Sequence, residues 1–226
     1  MNFIKKLLIT TIVIVTPLSA APVRGLFASL NLGCRYTNQN HDYTNSTGGV
    51  GKETKGELAT SFGLSFGLLN QIEKTKAVIG GEVSVSMNQS KANYTLKVDG
   101  GQPEGKLEIK NPYTFGGFAI LGAMITPKLM LYTKAGYAWV TATLKYKGLA
   151  ETPSDTTYNK KLGGISGGGG FNYLITDKVM VGAEYLIHVP AESTPRDNTV
   201  VINGQKRKFV YHPTIHSINL KISPLF

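Results

Sequence analysis

The chain has 226 residues, a formal net charge of +10 and a single cysteine, Cys34. One cysteine excludes an internal disulfide framework. A basic balance raises nucleic acid as a partner, but no basic stripe interleaved with aromatics is present, and that class is set aside.

In chain order, residues 1–20 read as a secretory signal peptide. Lys5 and Lys6 form a positive start, Leu7 to Val15 an apolar stretch, and Ser19, Ala20 and Ala21 a small-residue cleavage region. The apolar stretch is too short to span a bilayer. Cleavage after Ala20 is preferred, because cleavage after Ala21 would leave Pro22 at the first mature position; an uncleaved anchor is the alternative. Cys34 lies too far along to be a lipid-modified N-terminal cysteine. Residues 21–226 then form one domain, with no further apolar run near the roughly 20 residues a membrane helix needs.

Eight strands are predicted, near 24–36, 57–69, 77–88, 112–125, 129–144, 162–175, 179–188 and 212–226. The signal is period-2 alternation. Leu26, Ala28, Leu30, Leu32, Cys34 and Tyr36 share one face, while Phe27, Ser29, Asn31, Gly33 and Arg35 share the other. Leu58, Phe62, Leu64, Phe66 and Leu68 repeat the pattern against Ala59, Ser61, Gly63, Ser65 and Gly67, as do Ile218, Leu220, Ile222 and Phe226 near the C-terminus. A soluble β-sandwich turns charged residues outward and bulky apolar ones inward. Here the non-oily face is Gly, Ser, Asn and isolated charges, as expected inside a narrow membrane barrel. The short connections 70–76, 126–128 and 176–178 alternate with long polar ones, 37–56, 89–111, 145–161 and 189–211, as periplasmic turns alternate with extracellular loops. Ile125-Thr126-Pro127-Lys128-Leu129-Met130-Leu131 returns as Ile175-Thr176-Asp177-Lys178-Val179-Met180-Val181, a hairpin repeat.

The fold class is therefore all-β: an eight-stranded antiparallel up-and-down transmembrane barrel. Aromatic side chains favour the two lipid–water interfaces. Tyr36, Tyr113, Phe115, Tyr137 and Trp139 are placed in a belt at the loop end, and Phe171, Tyr173 and Phe226 in one at the turn end. Glu82, Lys134, Glu184 and Lys221 fall on lumenal positions about five residues above their turns, which at about 3.3 Å per residue puts them at one level. Buried charges call for partners, so a paired layer is expected. It reads as a static network filling the lumen, with a gate that rearranges to pass ions as the alternative.

Gly167 to Gly170 lacks the Lys-Ser/Thr and helix of a phosphate loop, and is read as relief for curvature or a rest for an aromatic ring. His41, His188, His212 and His216 give one even spacing, His212 to His216, and no metal site or cofactor is expected. His216 and Ser217 point to opposite faces, so no catalytic triad emerges. Lys145, Lys147, Lys160, Lys161, Arg196, Lys206, Arg207 and Lys208 make the last two loops basic; they would face lipopolysaccharide phosphates or an anionic host surface, or are merely solvated.

Gly25 to Gly33 (Gly-Leu-Phe-Ala-Ser-Leu-Asn-Leu-Gly), Leu131 to Ala138, and Leu174 to Asp177 leading to Gly182 to Tyr185 resemble the OmpA/OmpX-like family of small outer-membrane barrels over the whole mature chain. The resemblance implies an envelope protein acting structurally or through surface loops in adhesin or antigen fashion. It implies that Phe226, preceded by alternating Leu220 and Ile222, is a signal read by the barrel-assembly machinery. Pro224 departs from that terminal pattern. No peptidoglycan-binding domain follows Phe226 in this sequence, so that anchoring role is not expected. A diffusion channel is the alternative function, and a lipid A-modifying barrel enzyme a distant third; no enzymatic activity is expected.

Overall fold

The computed structural model describes residues 23–44, 50–73, 75–89, 91–97, 103–147, 156–190, 199–202 and 205–226. The strands are β1 (Arg24–Thr44), β2 (Val50–Gln71), β3 (Ala77–Asn88), β4 (Lys91–Lys97), β5 (Pro103–Met124), β6 (Leu129–Lys147), β7 (Thr156–Thr176), β8 (Val179–Pro190), β9 (Thr199–Ile202) and β10 (Gln205–Pro224). Sequence neighbours pair antiparallel, β4 continues the course of β3 beside β5, and β9 lies against the upper part of β10. Strand β10 returns to β1, from Leu30 opposite Ile222 to Tyr43 opposite Phe209. The result is a closed eight-stranded up-and-down barrel. Closure pairs the backbone groups that an open edge would expose, which a wall in contact with lipid requires.

The side-chain period of a strand explains why this chain closes as it does. Leu26, Leu30, Leu32 and Tyr36 of β1 face outward, and Phe27, Ser29, Asn31 and Arg35 face inward and are buried. Outward apolar residues are as bare as Leu58 at 72% and Ile165 at 73% exposed, a surface suited to lipid and costly in water. No helix of the described residues is long and apolar enough to cross a membrane. At the seam, the Phe226 N–H donates to the Leu26 carbonyl oxygen at 2.8 Å, and Ser29 and Ser223 share a 2.6 Å hydroxyl hydrogen bond inside. Gly25 adopts φ +144° there, and a Cβ on it would fall on the Phe226 carbonyl oxygen.

The three short turns lie where the alternation breaks. The strands, however, run well past their predicted upper ends. Most of 37–56, 89–111 and 145–161, read as loop, continues the ladders: Thr37 to Thr44 pairs with Val50 to Glu57, and Lys91 to Lys97 with Pro103 to Lys110. At positions of outward parity these extensions are mostly polar, so the oily alternation that marks a lipid-facing strand disappears while the backbone pairing persists.

Pro112 sits at an irregularity in β5. Lys110 opposes Thr143 and Tyr113 opposes Thr141, so β5 carries an extra residue between them. Proline has no N–H to give the ladder and is accommodated at such a bulge. A one-residue slip exchanges the faces. Below the bulge Tyr113 and Phe115 are exposed on the outer wall; above it Lys106 is exposed and Lys110 half-exposed, with Glu108 between them buried against Lys91 and Lys110, while Asn111 and Ile109 are fully buried.

The interior corrects the expectation of a small, polar lumen. At the turn end Val23, Phe27, Leu69, Val78, Ile120, Met124, Met130, Leu174, Met180 and Leu225 form a buried apolar plug. Towards the other end, Ile109, Val140, Ala142, Leu144, Leu162 and Ile215 are again buried on lumenal positions. These residues were hidden in the sequence because Met, Val and Leu on an inward position look like those on an outward one.

Candidate functional site: a charged layer inside the barrel

Between the two apolar zones lies one compact polar centre. Glu82 on β3, Lys134 on β6, Glu184 on β8 and Lys221 on β10 converge from four strands, each side chain nearly removed from solvent. Lys134 Nζ lies 2.7 Å from Glu82 Oε1 and 2.9 Å from Glu184 Oε2. Lys221 Nζ lies 2.8 Å from Glu82 Oε2 and 3.4 Å from Glu184 Oε2. Each lysine thus bridges both carboxylates, and the quartet is electrically balanced. Charges this deep demand such mutual satisfaction.

Two further residues complete the layer that sequence reasoning did not place there. Tyr132 donates its hydroxyl to Glu184 Oε2 at 3.0 Å, and Asn219 Nδ2 donates to Glu184 Oε1 at 3.4 Å. Both stand two residues from a lysine of the quartet, so strand periodicity puts them on the same face; that was the available signal. The Phe118 ring lies under Lys134 Nζ, 4.6 Å from ring centroid to nitrogen. The glycines of β7 make room for this crossing: a Cβ on Gly168 or Gly170 would strike the β8 backbone, consistent with a tightly curved wall.

Above the quartet is a polar chamber of about 60 Å³, lined among others by Asn31, Arg35, Ser84, Asn88, Ser166 and His188. That volume suits about four waters, and polar walls are where such waters are held. Arg35 Nη2 crosses it to donate to Thr114 Oγ1 at 2.7 Å. Ser166 and His188 are direct cross-strand partners, but Ser166 Oγ donates to the Ile187 carbonyl at 3.1 Å. No group of three metal-ligating side chains occurs among the described residues. His216 faces outward instead, its Nδ1 2.7 Å from the Tyr185 hydroxyl. His41 and His212 lie at register positions opposite Tyr211 and Asn40.

The aromatic residues named from sequence are all exposed on the outer wall: Tyr36, Tyr113, Phe115, Tyr137 and Trp139 at one end, Phe171, Tyr173 and Phe226 at the other. Phe115 stacks on Trp139 at 5.9 Å and Tyr137 meets Trp139 edge-on at 4.9 Å. Leu129 opposes Tyr173, and the ten-residue step from Leu129 to Trp139 covers about 33 Å of strand. A tilt of about 40° reduces that to about 25 Å, the height of the apolar band of an outer-membrane barrel. Leu220 and Ile222 also face outward on the last strand.

The basic residues divide. Lys145 and Lys161 lie on outward positions of β6 and β7, while Lys160 falls on the lumenal position opposite Ala142. Lys147 pairs in register with Lys106, and Lys206, Arg207 and Lys208 lie on β10 beside β9. Arg196 and residues 1–20, the segment read from the sequence as a signal peptide, lie outside the described residues.

A family model described as outer membrane protein beta-barrel domain matches residues 7–207. No curated protein matches the chain. Among solved structures, the chain is similar to the outer-membrane protein OprG from Pseudomonas aeruginosa, with 15% identity over 91% of this chain and 98% of that one and a TM-score of 0.53. It is also similar to Neisserial surface protein A, at 14% identity over 89% and 97% with a TM-score of 0.49. A third is the outer-membrane protease OmpT from Escherichia coli, at 12% identity over 92% and 99%, again with a TM-score of 0.49. Identities this low speak to fold alone.

Proposed function

The chain belongs to the outer membrane protein β-barrel domain family, and we propose that it is a closed-lumen surface protein of the bacterial outer membrane, structural or adhesin-like in role. In this reading the signal peptide is removed on export, the short turns face the periplasm, and the long strand extensions and loops project from the cell. The observation that carries it is the filled interior: an apolar plug, a balanced quartet of charges and a second buried apolar zone stand in series along the axis. An eight-stranded barrel is just wide enough for side chains to fill it, so interaction is left to the outer surface and the projecting ends.

A diffusion channel is the second reading, favoured by the ionised layer and the polar chamber above it. It requires the four charges to separate. Single-channel recording of the refolded mature protein and of a Glu184→Gln, Lys221→Met variant decides between the two. The closed reading expects silence from both. Steady openings whose conductance changes in the variant would overturn it and make the layer a gate.

A non-enzymatic role is supported by the hydrogen bonding of Ser166 to backbone rather than to His188, and by the enclosure of both inside the barrel, away from lipid. No cofactor is required. The partners this reading implies are outer-membrane lipid and lipopolysaccharide, the barrel-assembly machinery acting on Leu220, Ile222 and Phe226, and a host-surface ligand at the loops.

A further inference from the structure

Two buried side chains on the walls of the chamber above the charged layer find no partner within the protein. His188 on β8 is 4% exposed, and neither of its ring nitrogens makes a hydrogen bond; the Ile165 backbone lies near the ring but outside hydrogen-bond geometry. Asn88, the last residue of β3, is 7% exposed, and both polar atoms of its amide are likewise unmatched. Buried polar groups left so are costly, and native proteins keep few of them without a reason. In the order of strands around the barrel, β3 and β8 stand four places apart out of eight, so the two residues face each other across the lumen. Seen along the axis, the path of Arg35 from β1 to Thr114 on β5 crosses the line that joins them. All three side chains border the same chamber.

The chemistry of these walls selects the occupant. His188 offers a ring N–H in either tautomer, Asn88 an amide NH2, and Arg35 a permanent positive charge. Glu82 and Glu184 form the floor, but each already lies against both Lys134 and Lys221, and the quartet carries no net charge. A cation would meet the guanidinium in surroundings that screen it poorly. Water satisfies hydrogen bonds but gains little from the field of Arg35; a small anion does both. About 60 Å³ takes a monatomic anion with some water, and Asn31 Oδ1, an acceptor without a partner on the same wall, calls for that water. A tetrahedral oxyanion would fill the space and press acceptor oxygens against Asn31 Oδ1 and the floor carboxylates. We propose that the chamber is a binding site for one monovalent anion of the halide class, held by His188, Asn88 and Arg35. The ion is enclosed by the charged layer below and by Ile109, Val140, Leu162 and Ile215, buried on lumenal positions towards the other end. It enters as the barrel closes or exchanges slowly, and its binding does not require the lumen to conduct.

The test sets bromide against gluconate, an anion too large for the chamber, at constant ionic strength. Urea unfolding of the refolded mature protein in lipid vesicles reads occupancy by linkage, because an ion that binds only the folded barrel raises its stability with concentration. The parent is expected to gain stability as bromide replaces gluconate. His188→Leu and Asn88→Leu each remove donors to the ion. Each should need about 10- to 100-fold more bromide for the same gain, the effect of losing a hydrogen bond to a charged group. Lys161→Gln, which removes an exposed cation of the outer wall, should respond as the parent does. Crystals grown in bromide should show the anomalous signal of one bromine within hydrogen-bond distance of a His188 ring nitrogen. A parent indifferent to bromide would mean that the chamber holds water alone, and would overturn the proposal. So would an equal response in both chamber variants, or bromine found only beside surface lysines, an adventitious ion only. Folding is checked by the mobility difference between boiled and unboiled samples on a gel. If neither chamber variant folds, the position of bromine in the parent crystals decides.

Discussion

Lys221 and Lys134 each contact both Glu82 and Glu184, so neither lysine is redundant and neither belongs to one partner. Removing Lys221 leaves two buried carboxylates sharing one ammonium. Breaking a buried pair from one side costs about 3–5 kcal/mol, because an uncompensated charge remains. Lys221→Met is therefore expected to lower unfolding stability by about that amount, and adding Glu184→Gln should restore much of it by returning the layer to balance. Urea unfolding of the single and double variants in lipid vesicles measures both. A double variant no more stable than the single would show that the layer does not behave as a coupled unit. Tyr132 belongs to the same unit through its bond to Glu184, although the sequence reading assigned it no place in the layer. Its place was nonetheless written in its spacing from Lys134.

At the scale of elements, the seam between β1 and β10 is where closure is most demanding. Gly25 holds φ +144°, and a Cβ added to it would fall on the Phe226 carbonyl oxygen. Gly25→Ala combines that backbone conformation, which is unfavourable for a residue with a side chain, with a steric collision. A loss of about 1–3 kcal/mol is expected, read as a lower yield of the folded, unboiled gel form at the same refolding condition; an undiminished yield would remove Gly25 from the closure argument. Much of the barrel below this level of detail was legible in the sequence. Leu26 to Tyr36 and Leu58 to Leu68 alternate cleanly because one face meets lipid and the other the lumen. The charged layer could be counted out from the turns because Glu82, Lys134, Glu184 and Lys221 are isolated charges on otherwise uncharged faces. The upper strands were not legible, since Lys106 to Lys110 alternates charge with Leu107 and Ile109 on faces inverted by a bulge that only the pairing partner reveals. The apolar plug was missed for a related reason: Met124, Met130 and Met180 stand at strand ends, where alternation gives too few repeats to tell inside from outside.

For the whole molecule, these features describe a barrel with two regimes along its axis. From Leu129 to Trp139 the β6 backbone lies within the apolar band, where no water is at hand to replace an opened hydrogen bond. From Thr141 to Lys147 the same strand continues with its ladder intact, to β5 on one side and to β7 as far as Tyr146 on the other, but its outward neighbours are Thr143, Lys145 and Lys161 instead of leucine and aromatic rings. Geometry is continuous across the boundary, whereas the cost of local opening is not. Amide hydrogen exchange of the protein in lipid vesicles should therefore show a step within single strands: amides of 130–139 in β6 exchanging roughly 100-fold or more slowly than those of 142–147. The step should recur at the matching height in β1 and β2, near Tyr36 and Leu58, because those residues are paired and mark the same belt. Uniform protection from Leu129 to Lys147 would mean that the upper strands are held as firmly as the band itself. In that case the extensions would be a rigid surface presented by the barrel rather than a region that opens locally above it.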